Sequence, residues 1–203
     1  MLNTEIYDFI KDNFSKENFK SKLLENFRFS VMGCRNYRKG KNPILQQQPD
    51  ELLGLINLLK DKNISSYMEI GLGTCNTIFF LDSFFRSMND DYQETIGIDI
   101  EDKSELFKEY QKQFNTCSFL NINILKYSFN KSFDYIFIDT NQKYKDMEKT
   151  FNKCLPYATK YIGFHDISTS RWGAKKLFSE LSEKYENWSW SKSGAGIGVL
   201  KVK

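Results

Sequence analysis

Residues 66–77, Ser-Tyr-Met-Glu-Ile-Gly-Leu-Gly-Thr-Cys-Asn-Thr, restrict the fold more than any other stretch of the chain. Tyr67, Met68 and Ile70 suit a short buried strand, Gly71 and Gly73 allow a backbone that side-chain-bearing residues avoid, and Ile78-Phe79-Phe80-Leu81 open an apolar helix. Strand, glycine turn and helix in immediate succession form a cradle for a nucleotide. Which nucleotide, and which chemistry, depends on the rest of the chain.

The strand-then-helix unit recurs. Thr95–Ile100 reads as a second strand, a polar helix follows near 103–114, and Cys117–Leu120 reads as a third strand ending in the Asn-rich turn 121–123. The fourth strand, Phe133-Asp134-Tyr135-Ile136-Phe137-Ile138-Asp139, is an almost continuous apolar run that ends in a carboxylate. A helix over 144–155 is closed by Pro156, and Tyr161-Ile162-Gly163-Phe164 form a fifth strand ending in His165-Asp166. This alternation predicts an α/β fold, a parallel sheet with helices on both faces. The tail breaks the rhythm: a helix near 171–185 with Trp172, Leu177, Phe178 and Leu181 inward, then two strands, 187–191 and 196–202, close enough to pair as an antiparallel hairpin.

Ahead of this domain, residues 1–47 read as a helical extension and a basic loop, with the main domain over 48–203. Ile6, Phe9, Ile10 and Phe14, then Phe19, Leu23, Leu24 and Phe27, recur at helical spacing and suit a layer over one edge of the domain, a lid, or a homodimer contact. Around Tyr37, Arg35, Arg38, Lys39 and Lys41 form either a solvated surface or a loop for an anionic substrate. A helix opened by Gln48-Pro49-Asp50-Glu51 carries Leu52, Leu53, Leu55, Ile56, Leu58 and Leu59, with Asp50 and Glu51 in its first turn. Four scattered cysteines without a C-x-x-C pair exclude the usual zinc and redox motifs and suit reduced thiols in a cytoplasmic protein. No apolar run approaches the roughly 18 residues of a membrane span, and the first thirty residues hold no signal-peptide core.

In an open parallel sheet, ligands bind beyond the carboxyl ends of the strands, where strand order reverses. Those ends are Glu69–Gly73, Asp99, the turn 121–123, Asp139–Asn141 and His165-Asp166, all polar or glycine after apolar strands. A carboxylate at Asp99 suits both hydroxyls of a ribose. The dinucleotide fingerprint fails, because Asn76 stands where its third glycine belongs and Asp99 comes later than the interval of about 20 residues it requires. An acid at Glu69, just before the turn, would repel a pyrophosphate and favour a cationic ligand.

Glu69-Ile70-Gly71-Leu72-Gly73, Gly97-Ile98-Asp99, the fourth strand through Asp139 and Gly163-Phe164-His165-Asp166, in that order, resemble class I S-adenosylmethionine-dependent methyltransferases. More narrowly they are similar to the O-methyltransferase-like branch whose fourth strand ends IDGDHxY and whose fifth ends HDI, over 48–202. Cys75 stands where that family has its third glycine, and Thr140, Asn141 and Gln142 where it has Gly, Asp and His.

The resemblance implies a three-layer Rossmann-like sandwich with strand order 3-2-1-4-5-7-6. It implies S-adenosylmethionine held by Glu69, Gly71, Gly73, Thr74, Asp99, Asn123 and Asp139, and methyl transfer to a hydroxyl of a small molecule or sugar, with His165, Asp139 and Asp166 catalytic. Tyr144, Arg35 and Arg38 are the expected acceptor contacts. By analogy with catechol-type enzymes, Asp139, Asp166 and Asn141 would hold Mg²⁺, although Ile167 replaces a third ligand of that pattern. A silent cofactor-binding homologue and an NAD(P)-binding oxidoreductase are the alternatives. Nucleic acid is not an expected partner, since the chain has no Asn-Pro-Pro-aromatic tetrad and only one basic cluster.

Overall fold

The computed structural model describes residues 49–73, 75–111, 115–140, 143–168, 173–191 and 195–203. The expected extension over 1–47, with Arg35 and Arg38, lies outside them, as do Thr74, Asn141, Gln142 and Trp172. Among the described residues five helices, α1 (Pro49–Leu59), α2 (Asn76–Met88), α3 (Ser104–Gln111), α4 (Tyr144–Cys154) and α5 (Gly173–Ser182), flank seven strands. The strands are β1 (Ser66–Ile70), β2 (Glu94–Asp99), β3 (Cys117–Asn121), β4 (Phe133–Ile138), β5 (Ala158–His165), β6 (Asn187–Trp190) and β7 (Ile197–Lys201).

They form one sheet in the order β3-β2-β1-β4-β5-β7-β6. Neighbours from β3 to β5 are parallel, whereas β7 runs antiparallel to both β5 and β6. This is the Rossmann-like topology expected of the sequence. No helix among the described residues is long and apolar enough to cross a membrane.

The period-two alternation of a strand divides the core. On one face, Tyr67, Tyr135, Phe137 and Tyr161 pack with Leu52, Leu55, Ile56, Phe80 and Phe84 of α1 and α2 and with Phe107 of α3. Met68, Ile70, Ile136, Ile138, Ile162 and Phe164 turn to the other face, against Met147 and Phe151 of α4 and Leu177 and Phe178 of α5. Tyr67 and Tyr135 stack at 5.4 Å between ring centres. Gly163 leaves space on β5 that a methyl group would lose to the Tyr135 ring and hydroxyl.

Some boundaries differ from those expected. The fifth strand is longer, running Ala158–His165, because Thr159 and Lys160 are drawn into side-chain bonds at the edge of the sheet. The second strand ends at Asp99, since Asp99 turns its carboxylate back onto the amide of Glu101 and breaks the extended run before Ile100. Asn123, expected in an open turn, caps a 3₁₀ turn at Ile124–Lys126 by accepting from the Leu125 amide.

The amino edge of the sheet is tied by one carboxylate. Asp134 accepts from the Ser65 amide and hydroxyl (2.9 and 2.7 Å), the Thr159 hydroxyl (2.6 Å) and Lys160 Nζ (3.1 Å), joining β1, β4 and β5. Burial raises its pKa, but these donors outweigh burial and hold it below the ordinary 3.8. A depressed folded pKa adds stability that is complete above the unfolded value and lost as pH falls through the folded one. Asp134→Asn is expected to cost about 1–3 kcal/mol at pH 7. Its deficit against wild type in urea melts should shrink as pH drops below 3.8; a deficit independent of pH would show that the charge is not what ties the strands.

Candidate functional site

The glycine turn is held open by its own backbone. Gly71 (φ 83°) and Gly73 (φ 50°) adopt left-handed conformations, and a side chain at Gly71 would strike the Asp139 carbonyl. The Gly71 amide donates to Ile98 O and the Asp139 amide to Ile70 O, both at 2.9 Å, which draws β2, β1 and β4 together at their carboxyl ends. Just beyond this junction opens a cavity of about 500 Å³. Ile70, Gly71, Gly73, Asp99, Asn123 and Asp139 line it, together with Ile100, Glu101, Leu125 and Asp146.

Two features of this cavity suit a nucleoside. The Asp99 carboxylate accepts from the Leu72 amide (2.7 Å) and the Glu101 amide (2.9 Å). Each bond takes one lone pair per oxygen, so the carboxylate is fixed in place with a second lone pair on each oxygen for paired hydroxyl donors. Ile100 and Leu125 line the same space while 73% and 45% exposed, two of the three large apolar side chains among the described residues that face solvent. Exposed apolar side chains lining a cavity that also carries a fixed carboxylate suit a planar base joined to a sugar.

Beside the cavity, and sharing Asp139 with it, lies a cluster of Asp139, His165 and Asp166 at the ends of β4 and β5. His165 Nδ1 stands 3.3 Å from Asp139 Oδ1 and 3.6 Å from Asp166 Oδ1. Burial lowers the imidazole pKa, but Asp139, Asp166 and Glu51 outweigh it and raise it to about 9. Burial pushes Asp166 up to about 7 against the pull of His165, with Asp139 and Glu51 adding to the rise. That direction favours the imidazolium, so a general base at His165 requires its proton to leave first. Asp139, His165 and Asp166 are the described residues that could hold a divalent ion; Asn141, expected as a ligand, lies outside them.

Other expected contacts lie elsewhere. Glu69 is 1% exposed and is not part of the cavity lining; it accepts from the Tyr67 hydroxyl on the α1–α2 face of the sheet. Burial raises its pKa well above the ordinary carboxylate value, which weakens any charge it offers to a ligand. Tyr144 donates to Glu180 (2.5 Å) and lies under Lys176 Nζ, in the α4–α5 contact. Glu101, Ile100, Leu125, Asp146 and Glu51 are additions that the sequence pattern did not single out.

Neither a family model nor a curated protein sequence matches the chain. Solved structures do match its fold. An O-methyltransferase from Bacillus cereus in complex with SAH is 16% identical, with TM-score 0.57 and full coverage of both chains. The O-methyltransferase TomG from Streptomyces achromogenes, in complex with SAM, is 15% identical, with TM-score 0.55 over 98% of this chain and 96% of that one. N-methyltransferase NodS from Bradyrhizobium japonicum with S-adenosyl-L-homocysteine is 15% identical, with TM-score 0.56 over 89% and 98%. The fold of the chain is thus the one these methyltransferases share.

Cys75 shows what is lost with the third glycine of the turn. It is fully buried, caps α2 at φ 65° and donates its amide to Leu72 O (2.7 Å). An L-residue held left-handed costs about 1–2 kcal/mol. Cys75→Gly relieves that strain and Cys75→Ala does not, so the Gly variant is expected to melt above the Ala variant in spite of its smaller side chain; the reverse order in thermal melts would refute the strain.

Proposed function

We propose that the chain transfers a methyl group from S-adenosylmethionine to a hydroxyl oxygen of a small molecule, with hydroxylated sugars as the acceptor class to test first. The observation that carries this reading is that the cavity holding Asp99 and the Asp139–His165–Asp166 cluster share Asp139. A cofactor whose ribose sits on Asp99 and whose base lies between Ile100 and Leu125 would extend its sulfonium past Gly71 towards that shared residue. The acceptor hydroxyl would then meet the methyl carbon over His165 and Asp166.

Transfer is an in-line displacement. The carbon–oxygen bond forms as the carbon–sulfur bond breaks, sulfur leaves as a neutral thioether, and the hydroxyl proton passes to a carboxylate of the cluster. Most of the acceleration comes from alignment, which the fixed strand ends supply. A 2′-phosphorylated dinucleotide fits less well, because Asp99 and Glu101 place two carboxylates at the cofactor end of the cavity, where its 2′-phosphate would be repelled. The methyltransferases that share the fold, two of them bound to SAH and one to SAM, support the same cofactor.

Calorimetry with S-adenosylhomocysteine and turnover with a panel of sugars test the reading. Binding is expected in the wild type, and Ile100→Asp should weaken it at least about tenfold without moving the melting temperature, since Ile100 is mostly exposed. Asp166→Asn should keep binding and lose turnover. Absence of S-adenosylhomocysteine binding would overturn the assignment, while binding without turnover across the panel would leave a cofactor-binding homologue.

A further inference from the structure

The resemblance to catechol-type enzymes implies an oxygen-only Mg²⁺ site, yet the donors brought together here include an imidazole. We infer that Asp139, His165 and Asp166 form a one-nitrogen, two-oxygen site for a divalent transition ion such as Mn²⁺, Co²⁺, Fe²⁺ or Zn²⁺, with His165 as a direct ligand through Nδ1. Any catalytic part played by the ion rests on the methyl-transfer reading; its binding does not.

The spacing is that of ligands around an ion. A charge-assisted N–H···O⁻ contact closes to about 2.7–2.9 Å. Donor atoms about 2.1 Å from one ion stand about 3.0 Å apart along an octahedral edge and about 3.4 Å along a tetrahedral one. His165 Nδ1 is 3.3 and 3.6 Å from the two carboxylate oxygens, and all three donor atoms lie within 4.8 Å of one another. The Nδ1–Asp139 contact is a long hydrogen bond and the two imidazole separations bracket the longer coordination edge, so a small inward shift of the carboxylates would set all three donors around one ion.

The donors are also sheltered from bulk water: Asp166 is 3% exposed, and Glu51, behind the turn, is fully buried.

The frame is rigid enough to hold a ligand set. Asp166 is fixed at φ 66°, and the next two amides, Ile167 and Ser168, donate to Gly196 O (3.4 Å) and Ala195 O (2.8 Å). The Gly196 amide in turn donates to Glu51 Oε1 (2.8 Å), so α1 braces the turn behind the donors. Such bracing keeps first ligands in place. As for the kind of ion, imidazole suits first-row transition ions, whereas Mg²⁺ prefers carboxylate, carbonyl and water oxygens.

The test uses full-length protein stripped of metal and titrated with Mn²⁺ or Mg²⁺, following free Mn²⁺ by electron paramagnetic resonance. Mn²⁺ is expected to bind at least about tenfold more tightly than Mg²⁺, and His165→Asp, which leaves oxygen donors only, should cut that ratio at least about tenfold. Bound Mn²⁺ in the wild type should also show hyperfine coupling to a nitrogen nucleus, a readout that needs no variant to fold. Absence of Mn²⁺ binding, absence of nitrogen coupling, or an unchanged ratio in a His165→Asp protein with native circular dichroism would overturn the inference. S-adenosylhomocysteine calorimetry on the same samples separates the two readings: cofactor binding without metal binding defeats the metal site alone, and the converse defeats the cofactor assignment alone.

Discussion

The close approach of Gly71 to the carbonyl of Asp139 is the contact on which the site depends. β1 lies between β2 and β4, and strand order runs outward from it in both directions. At its end the Gly71 amide is given to β2 and the Ile70 carbonyl to the residue after β4. With no room for a Cβ, the chain must leave the sheet there by a left-handed turn, and the crevice on its far side becomes the cavity. Asp99, Gly71 and Asp139 are brought to one rim by this junction. A β-carbon at position 71 would force the two strand ends apart and dissolve the rim before touching any ligand.

The framework was legible in the sequence because it is written in local patterns. Apolar runs ending in Asp99, Asp139 and His165-Asp166 marked the strands and their polar ends, and the short link between two closing strands marked the antiparallel pair at the far edge. What was not legible depends on distant partners. Glu51 reads as a first-turn acid favoured by the helix dipole, yet it is buried and its oxygen takes the amide of Gly196, 145 residues away. Ile100 reads as one more strand residue, yet the bond from Asp99 to the Glu101 amide turns it out of the sheet. Glu69 reads as a charge facing the ligand; strand alternation instead puts it on the side of Tyr67, beneath the rim.

Below that rim the fold buries several acids, and it meets the same electrostatic cost in three ways. Asp82 is matched by an arginine: Arg86 Nε and Nη2 reach it at 2.8 and 3.0 Å, with Thr95 and Tyr110 hydroxyls on the same carboxylate. Such a set offsets the desolvation of a buried charge with a countercharge and hydrogen bonds together. Glu69 has the Tyr67 hydroxyl and a raised pKa, so its charge is suppressed more than it is balanced. The Asp139–His165–Asp166 group has one imidazole for two carboxylates, and a third, Glu51, stands behind it. Of the three, this last group is the one that opens onto the cavity, through Asp139.

The two halves of the site differ in how they are built, and this bears on what each can recognise. The cofactor half consists of turns that directly follow β1, β2 and β3, so each wall is set within a few residues of the strand that carries it. The other half is assembled from α1, the end of β5 and the loop before β7, tied through Glu51, Gly196, Ile167 and Ser168. A change in the β6–β7 loop or at the start of α1 can therefore move Asp166 without disturbing Asp99 or Gly71. On the proposed reading, recognition of the nucleoside would be fixed by short-range geometry, and recognition of the acceptor by contacts between the two ends of the described chain. That reading explains why a stretch of twelve residues suggests a cofactor class, whereas no single stretch suggests an acceptor.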